Sequence, residues 1–199
     1  MARPRKDQTG PSAVERIREA FWTLLEENPY SLITVKLITQ RAGVNHNTFY
    51  YHFQNIEDMA LRFFEDNIPT RLIGVMAEVS MGKPVDVQAI ANEQGIDLHY
   101  QRVRLALRSG SPDLAKQGRQ RLIGHWLQQT GLAESDLSRA DRARISYIWG
   151  GVTAVISSDD APTVEDYLDL LQTGIVDVVG QLIHRIGEEH GVGLQQGAR

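Results

Sequence analysis

The chain of 199 residues is 42% hydrophobic and 23% charged, with no cysteine and a formal net charge of -4, an ordinary globular composition. The missing cysteine excludes disulfides, thiolate metal sites and cysteine nucleophiles and fits a cytoplasmic address, while the acidic balance argues against a chain wholly given over to nucleic acid. No apolar run follows the basic start MARPRKDQTG, and none elsewhere reaches the roughly 18 residues a membrane span needs, so neither a signal peptide nor a membrane segment is expected.

The charge is uneven. Residues 1–62 hold 8 Lys and Arg against 7 Asp and Glu, whereas residues 63–199 hold 13 against 18. Arg3, Arg5 and Lys6 crowd a start that has no apolar anchor. Such an arm either follows a phosphate backbone or stays a solvated terminus.

From Ser12 to Asn28 the spacing predicts a helix. Ser12 and Glu15 form a capping box, and Val14, Ile17, Phe21, Leu24 and Leu25 make one apolar stripe. Asn28-Pro29 ends it. Thr34 then caps a short second helix that stops at Gly43, with Ile33 and Ile38 placed as a hydrophobic staple. Asn45 caps a third helix through Phe53. Asn55, with Glu57 and Asp58 in the first turn, opens a fourth through Met59, Phe63 and Phe64.

Helices continue without a convincing strand, so the expected fold is all-α. Residues 84–109 look helical with a kink or break at Gly95. Ser111-Pro112-Asp113 is a start signal and Gly131 a stop. Ser138 with Asp141 and Thr163 with Asp166 mark two more starts, Gly187 a stop for the last long helix, and the tail from Gly191 is expected to be loose. Between Ile145 and Ser157 there is no charge for 13 positions, which in a soluble protein calls for burial all round. Gly150 and Ala154, four apart there, admit a second backbone, and along the last helix Leu168, Leu171, Ile175, Val178, Leu182 and Ile186 repeat at spacings of three and four. Together they point to a four-helix bundle made by two copies of the chain; packing within one subunit is the alternative.

The chemistry concentrates in TVKLITQRAGVNHNTFYYHF, residues 34–53. On a helical wheel Phe49 and Phe53 share one side, with Val44 ready to pack on Ile38 and Ala42. Asn47, Tyr50 and Tyr51 point away from that side, and His46 and Thr48 flank it near the amino end. The DNA major groove admits a helix and meets the residues near its amino end. Asn47 can bond an adenine edge in two places, Tyr50 and Tyr51 can touch thymine methyls or phosphates, and Thr48 and the helix end can hold a phosphate. Thr34 and Lys36 stand where the flanking backbone would pass. Outward polar side chains on any one helix are more often merely solvated; it is the whole constellation that favours DNA.

Thr34-Val35-Lys36-Leu37-Ile38, Ala42-Gly43-Val44, and then Thr48-Phe49-Tyr50 with His52-Phe53 resemble the DNA-binding signature of the TetR family of bacterial regulators. The resemblance covers residues 12–62. It implies a helix-turn-helix DNA-binding domain with a basic arm over 1–62 and a helical effector-binding and dimerisation domain over 63–199. It also implies a homodimer on a palindromic operator and, usually, repression lifted by a small molecule. By matching positions, Thr34, Asn45, Asn47, Thr48, Tyr50 and His52 contact the operator or support that contact. The family usually places a lysine three residues after the His-Phe pair; this chain has Ile56 there.

For an effector, His99, Tyr100, Trp126, Tyr147 and Trp149 combine apolar bodies with polar tips, although each also fits an ordinary core. Arg102, Arg104, Arg108, Arg119 and Arg121 could suggest an anionic effector, but a solvated face is the better reading. The six histidines show no metal-ligand spacing, and neither a metal nor a cofactor is expected. With no GxSxG, P-loop or Rossmann glycine run, the chain does not read as an enzyme. The expected function is a transcriptional regulator, a repressor released by a small molecule; the alternative gives the C-terminal domain a protein partner instead.

Overall fold

The computed structural model describes residues 10–171, 173 and 175–190, with the backbone alone at 175–179 and 190. The described residues form eleven α-helices and no strand. The chain divides into two compact units, Met1–Phe63 and Phe64–Arg199.

In the first unit α1 (Ala13–Glu27) packs on α2 (Val35–Ala42) and α3 (His46–His52). The start of α1 is set by its capping box: the Glu15 amide donates to Ser12 Oγ at 3.2 Å and the Ser12 amide to Glu15 Oε2 at 2.6 Å. Its inner stripe, Ile17, Ala20, Phe21, Trp22, Leu24 and Leu25, is buried. Helix α4 (Ile56–Glu65) begins where Asn55 Oδ1 accepts from the Asp58 amide at 2.8 Å. It buries Met59, Ala60 and Phe63.

The second unit contains α5 (Thr70–Ser80), α6 (Val87–Ala91), α7 (Ile96–Arg108), α8 (Pro112–Thr130), α9 (Arg139–Ser157), α10 (Val164–Leu171) and α11 (Ile175–His190). Helix α5 packs on α8 and α11, and α7 touches α6, α8, α9 and α10. Gly95, at φ +86°, breaks α6 from α7 in a left-handed conformation that favours glycine. Phe64 is buried against α8, where a Cβ added to Gly118 would lie 3.0 Å from the Phe64 ring. Beside it Arg121 pairs with Glu65, and His125 Nε2 lies 2.9 Å from the same carboxylate. Burial works against the Glu65 charge, but the bonds from His125 and Arg121 outweigh it and hold its pKa below the usual carboxylate value.

Two expectations about the last helices are corrected. The apolar repeat from Leu168 to Ile186 does not run along one helix but is divided between α10 and α11. The Thr173 amide and hydroxyl both donate to the Leu170 carbonyl, at 3.1 and 2.7 Å, and close α10 there. Gly187 is no stop either, since α11 runs through it to His190. Burial of Leu182, Ile183 and Ile186 offsets the modest cost of a mid-helix glycine, about 1 kcal/mol. The tail from Gly191 lies outside the described residues.

Helix α9 buries one face only. Ile145, Trp149, Thr153 and Ile156 face inward, whereas Tyr147, Gly151, Ala154 and Val155 are exposed in the single chain. Asp141 fixes its start. The buried carboxylate bonds Ser138, Arg144 at 3.0 Å and, from α11, Arg185 at 2.9 Å. The Ser138 hydroxyl bond is the main cause that holds its pKa below the ordinary value, against the opposing effect of burial, with Ser138's amide, Arg185 and Arg144 adding to the lowering. A depressed carboxylate contributes stability that is complete above the unfolded pKa and lost as pH falls through the native one. Asp141→Asn should therefore cost about 1–2 kcal/mol at pH 7, and the gap from the parent should close as denaturation midpoints are followed below about pH 4. Where α11 crosses α5, a Cβ on Gly180 would run into the Ser80 carbonyl oxygen. Gly180→Ala should thus lower the thermal midpoint, by an amount corresponding to about 1–3 kcal/mol of overpacking.

Candidate nucleic-acid interface

One short turn joins α2 to α3. Thr34 caps α2 by accepting from the Leu37 amide at 3.2 Å, and Gly43 ends it at φ +61°. The Gly43 carbonyl accepts from Arg16 Nη1 of α1 at 3.3 Å. Two residues later Asn45 Oδ1 accepts from the Thr48 amide at 2.8 Å and from Thr48 Oγ1 at 3.0 Å, starting α3. Ala42, Ile38, Thr39 and Phe49 are all buried, and α2 packs on α3.

Phe49 has no exposed surface. Its ring lies 5.5 Å from that of Phe53, which meets Phe63 of α4 at 5.3 Å, and Phe63 in turn meets Phe21 of α1 at 6.1 Å. This chain of aromatic contacts holds α3 by one side. On the other, His46 and Asn47 are exposed, Tyr50 is 51% exposed and Tyr51 85%. His46 stacks edge-on against Tyr50 at 4.9 Å, and Tyr51 against His52 at the same distance. The outer face thus presents paired rings and a carboxamide, with the amino end of α3 beside them.

The expected DNA-contacting residues fall into two groups. His46, Asn47, Tyr50 and Tyr51 share the open face of α3, and Thr34 and Lys36 are exposed at the start of α2. Asn45 and Thr48 are bound to each other as the cap, so their side chains serve the helix first, and His52 is half-buried with its carbonyl accepting from Arg62 Nη1 at 3.5 Å. Arg3, Arg5 and Lys6 lie outside the described residues. Ile56 is half-buried at the start of α4.

The expected effector residues do not stay together. Tyr100 and Trp149 line a cavity of about 20 Å³ inside the second unit, and Trp126 stacks edge-on against Trp149 at 6.2 Å. His99 is half-buried beside Gly95 and does not line it. Tyr147 lies elsewhere: 86% exposed, it lines a groove between α9 and α11 with Arg144, Ile148, Gln181, Leu182 and Arg185. Two residues from Trp149 on one helix, it must face the opposite way. Sequence reasoning missed Met76, Leu122 and Tyr167, which line the cavity from α5, α8 and α10; only the polar-tipped aromatic Tyr167 carried a usable signal.

The expected interface residues also separate. Gly150 and Ala154 line a shallow groove on α9 with Arg119 and Ser157, and Leu182 lines the α9/α11 groove. Leu168 and Leu171 are corrected: both are buried in their own unit, where α10 packs on α6, α7 and α11. The side chains of Ile175 and Val178 lie outside the described residues.

Residues 17–63 match the model of bacterial regulatory proteins of the tetR family. No curated protein matches the chain. Two solved structures are similar to it. The TetR family repressor AlkX from Dietzia sp. strain DQ12-45-1b, implicated in biodegradation of n-alkanes, is 17% identical at a TM-score of 0.44, the alignment covering 87% of this chain and 96% of that one. The fatty acid degradation regulator FadR from Bacillus halodurans is 16% identical at a TM-score of 0.49, with 85% and 97% covered. Among the described residues no helix is long and apolar enough to cross a membrane. Residues 17–63 thus carry the DNA-binding domain of the tetR family of bacterial regulatory proteins.

Proposed function

We propose that the protein is a sequence-specific repressor that binds a palindromic operator as a homodimer and leaves it when a small molecule occupies the second unit. One observation carries the reading: the aromatic lock through Phe49 and Phe53 buries one side of α3, while His46, Asn47, Tyr50 and Tyr51 stand exposed on the other. Asn47 supplies base reading, the two tyrosines bind thymine methyls or phosphates, and Thr34, Lys36 and the arm residues Arg3, Arg5 and Lys6 hold the backbone. The uncharged open face of α9, with Tyr147 and Val155 exposed beside the groove to α11, supports the pairing of two chains; Leu182 lines that groove, and Gly150 and Ala154 line a second one on the same helix. A pair of chains sets its recognition helices about 34 Å apart, one turn of DNA. A small change in that separation spoils the fit, and an effector that prefers the spoiled state weakens binding by its coupling energy.

A second reading gives the second unit a protein partner instead. It draws on the size of the cavity, since about 20 Å³ admits roughly one water-sized sphere. An operator complex that survives a broad panel of small molecules but dissociates with a captured protein would favour it.

Selection of binding sites from random duplexes tests the main reading. A palindrome should emerge, and equal retention of every duplex would overturn sequence reading. On the selected site Asn47→Ala should lose about 1–3 kcal/mol of discrimination at one base pair in each half-site, visible as a flattened preference in competition binding. Ile56→Lys should tighten binding to all duplexes alike and steepen the logarithmic salt dependence by about one unit per chain; an unchanged slope would remove residue 56 from the backbone path.

A further inference from the structure

Most cations of the first unit are already engaged. Arg41 of α2 pairs with Glu27 of α1 at 2.7 Å, and Arg62 of α4 pairs with Asp58 at 2.9 Å. Half-buried Arg18 lies over the Phe63 ring, 5.0 Å from its centre. Among the described residues of this unit, Arg16 and Lys36 are the arginine and lysine that neither a carboxylate nor a ring holds, and both are exposed.

Arg16 is anchored at the turn between α2 and α3. Its Nη1 donates to the Gly43 carbonyl at 3.3 Å, while Nη2 and Nε have no acceptor among the described residues. Gly43 ends α2, and His46, the first residue of α3, stands three positions beyond it. Even fully extended, three residues span at most about 11 Å, so the anchored guanidinium sits close to the amino end of α3. That end meets the bases when a helix enters the major groove, and the phosphates of the two strands flank it there. A guanidinium offers five N–H groups in a planar fork that grips a phosphate in two places. One bond to a carbonyl leaves the Nε and Nη2 pair for that purpose, and a side chain already ordered by the bond loses less freedom when a phosphate arrives.

We infer that Arg16 is a contact to the DNA phosphate backbone, ordered by the Gly43 carbonyl, and that it holds the strand beside the amino end of α3. The inference rests on the reading of the first unit as a DNA-binding head and adds a partner for one of its residues; it requires neither a palindrome nor an effector. Arg16 contributes charge and position but no sequence reading, since every duplex offers the same phosphates.

The test uses the full chain with Arg16→Ala, Arg16→Gln and Arg16→Lys and two duplexes of equal length, a selected operator and a scrambled version of it, titrated over a range of salt. Loss of one phosphate contact makes the logarithmic salt dependence shallower by about 0.9 per chain. The advantage of the parent over Arg16→Ala should therefore shrink about 3.5-fold per chain between about 50 and 200 mM salt, on both duplexes. Arg16→Gln, which keeps an amide donor for the Gly43 carbonyl but no charge, should match Arg16→Ala, and Arg16→Lys should keep the parental slope. Because Arg16 is exposed, all three should keep the parental thermal midpoint; if Arg16→Ala falls short, Arg16→Gln carries the comparison. An unchanged slope in the neutral variants, a loss confined to the selected operator, or a slope in Arg16→Lys as shallow as in Arg16→Ala would each overturn the inference. A parent that holds every duplex equally sinks sequence reading instead, and slopes on any two duplexes still decide the role of Arg16.

Discussion

The interior position of Phe49 governs the first unit. A seven-residue helix has too few turns to persist alone, and α3 stands because its aromatic face is held by neighbours on either side in sequence. Phe53, just past its end, reaches Phe63 of α4, and Phe63 reaches Phe21 of α1. Loss of a fully buried phenylalanine side chain typically costs about 3–5 kcal/mol, a large share of a small unit's stability. With one face of α3 consumed this way, the orientation of the other follows from helical geometry. Asn45 and Gly43 then decide only where the helix begins and at what angle it leaves α2.

In the second unit the same logic applies with more participants. Helix α9 spends Ile145, Trp149, Thr153 and Ile156 on the interior and anchors its start through Asp141 to Arg185 of α11. Its remaining surface carries no ionised group from Ile145 to Ser157. The bond between Asp141 and Arg185 also borders the groove where Arg144, Tyr147 and Gln181 lie, so the pitch of α9 against α11 is set by a buried carboxylate rather than by apolar packing alone. Gly180 lets α11 approach the backbone of α5, and α5 supplies Leu72, Ile73 and Met76 to the cavity.

How much of this was legible in the sequence depends on the range of the interaction. Ser12 with Glu15, Thr34, Asn45, Ser111 before Pro112, Ser138 with Asp141 and Thr163 with Asp166 all act across three residues, and each marks a helix start in the structure. The outward side of α3 was legible too, because helical phase and the two phenylalanines determine it. Helix α5 carried no such mark, since Pro69 stands at its start with no side-chain cap. The division between α10 and α11 was hidden because an apolar repeat at spacings of three and four looks the same whether or not a Thr173 turn interrupts it. Tyr147 and Trp149 resemble each other as residues, and only the packing partners of α9 tell which is inside. The cavity was least legible of all, being assembled from residues between Pro69 and Tyr167 on separate helices.

The distribution of indoles gives each unit its own optical signature. Trp22 lies in the core of the first unit, whereas Trp126 and Trp149 meet edge to face, with ring centres 6.2 Å apart, in the second. Rings that close and fixed in orientation couple their electronic transitions, and that coupling vanishes when the pair separates, whatever happens to Trp22. The part of the circular dichroism that arises from this coupling therefore follows the second unit, and the loosening of that unit can be watched without any added label.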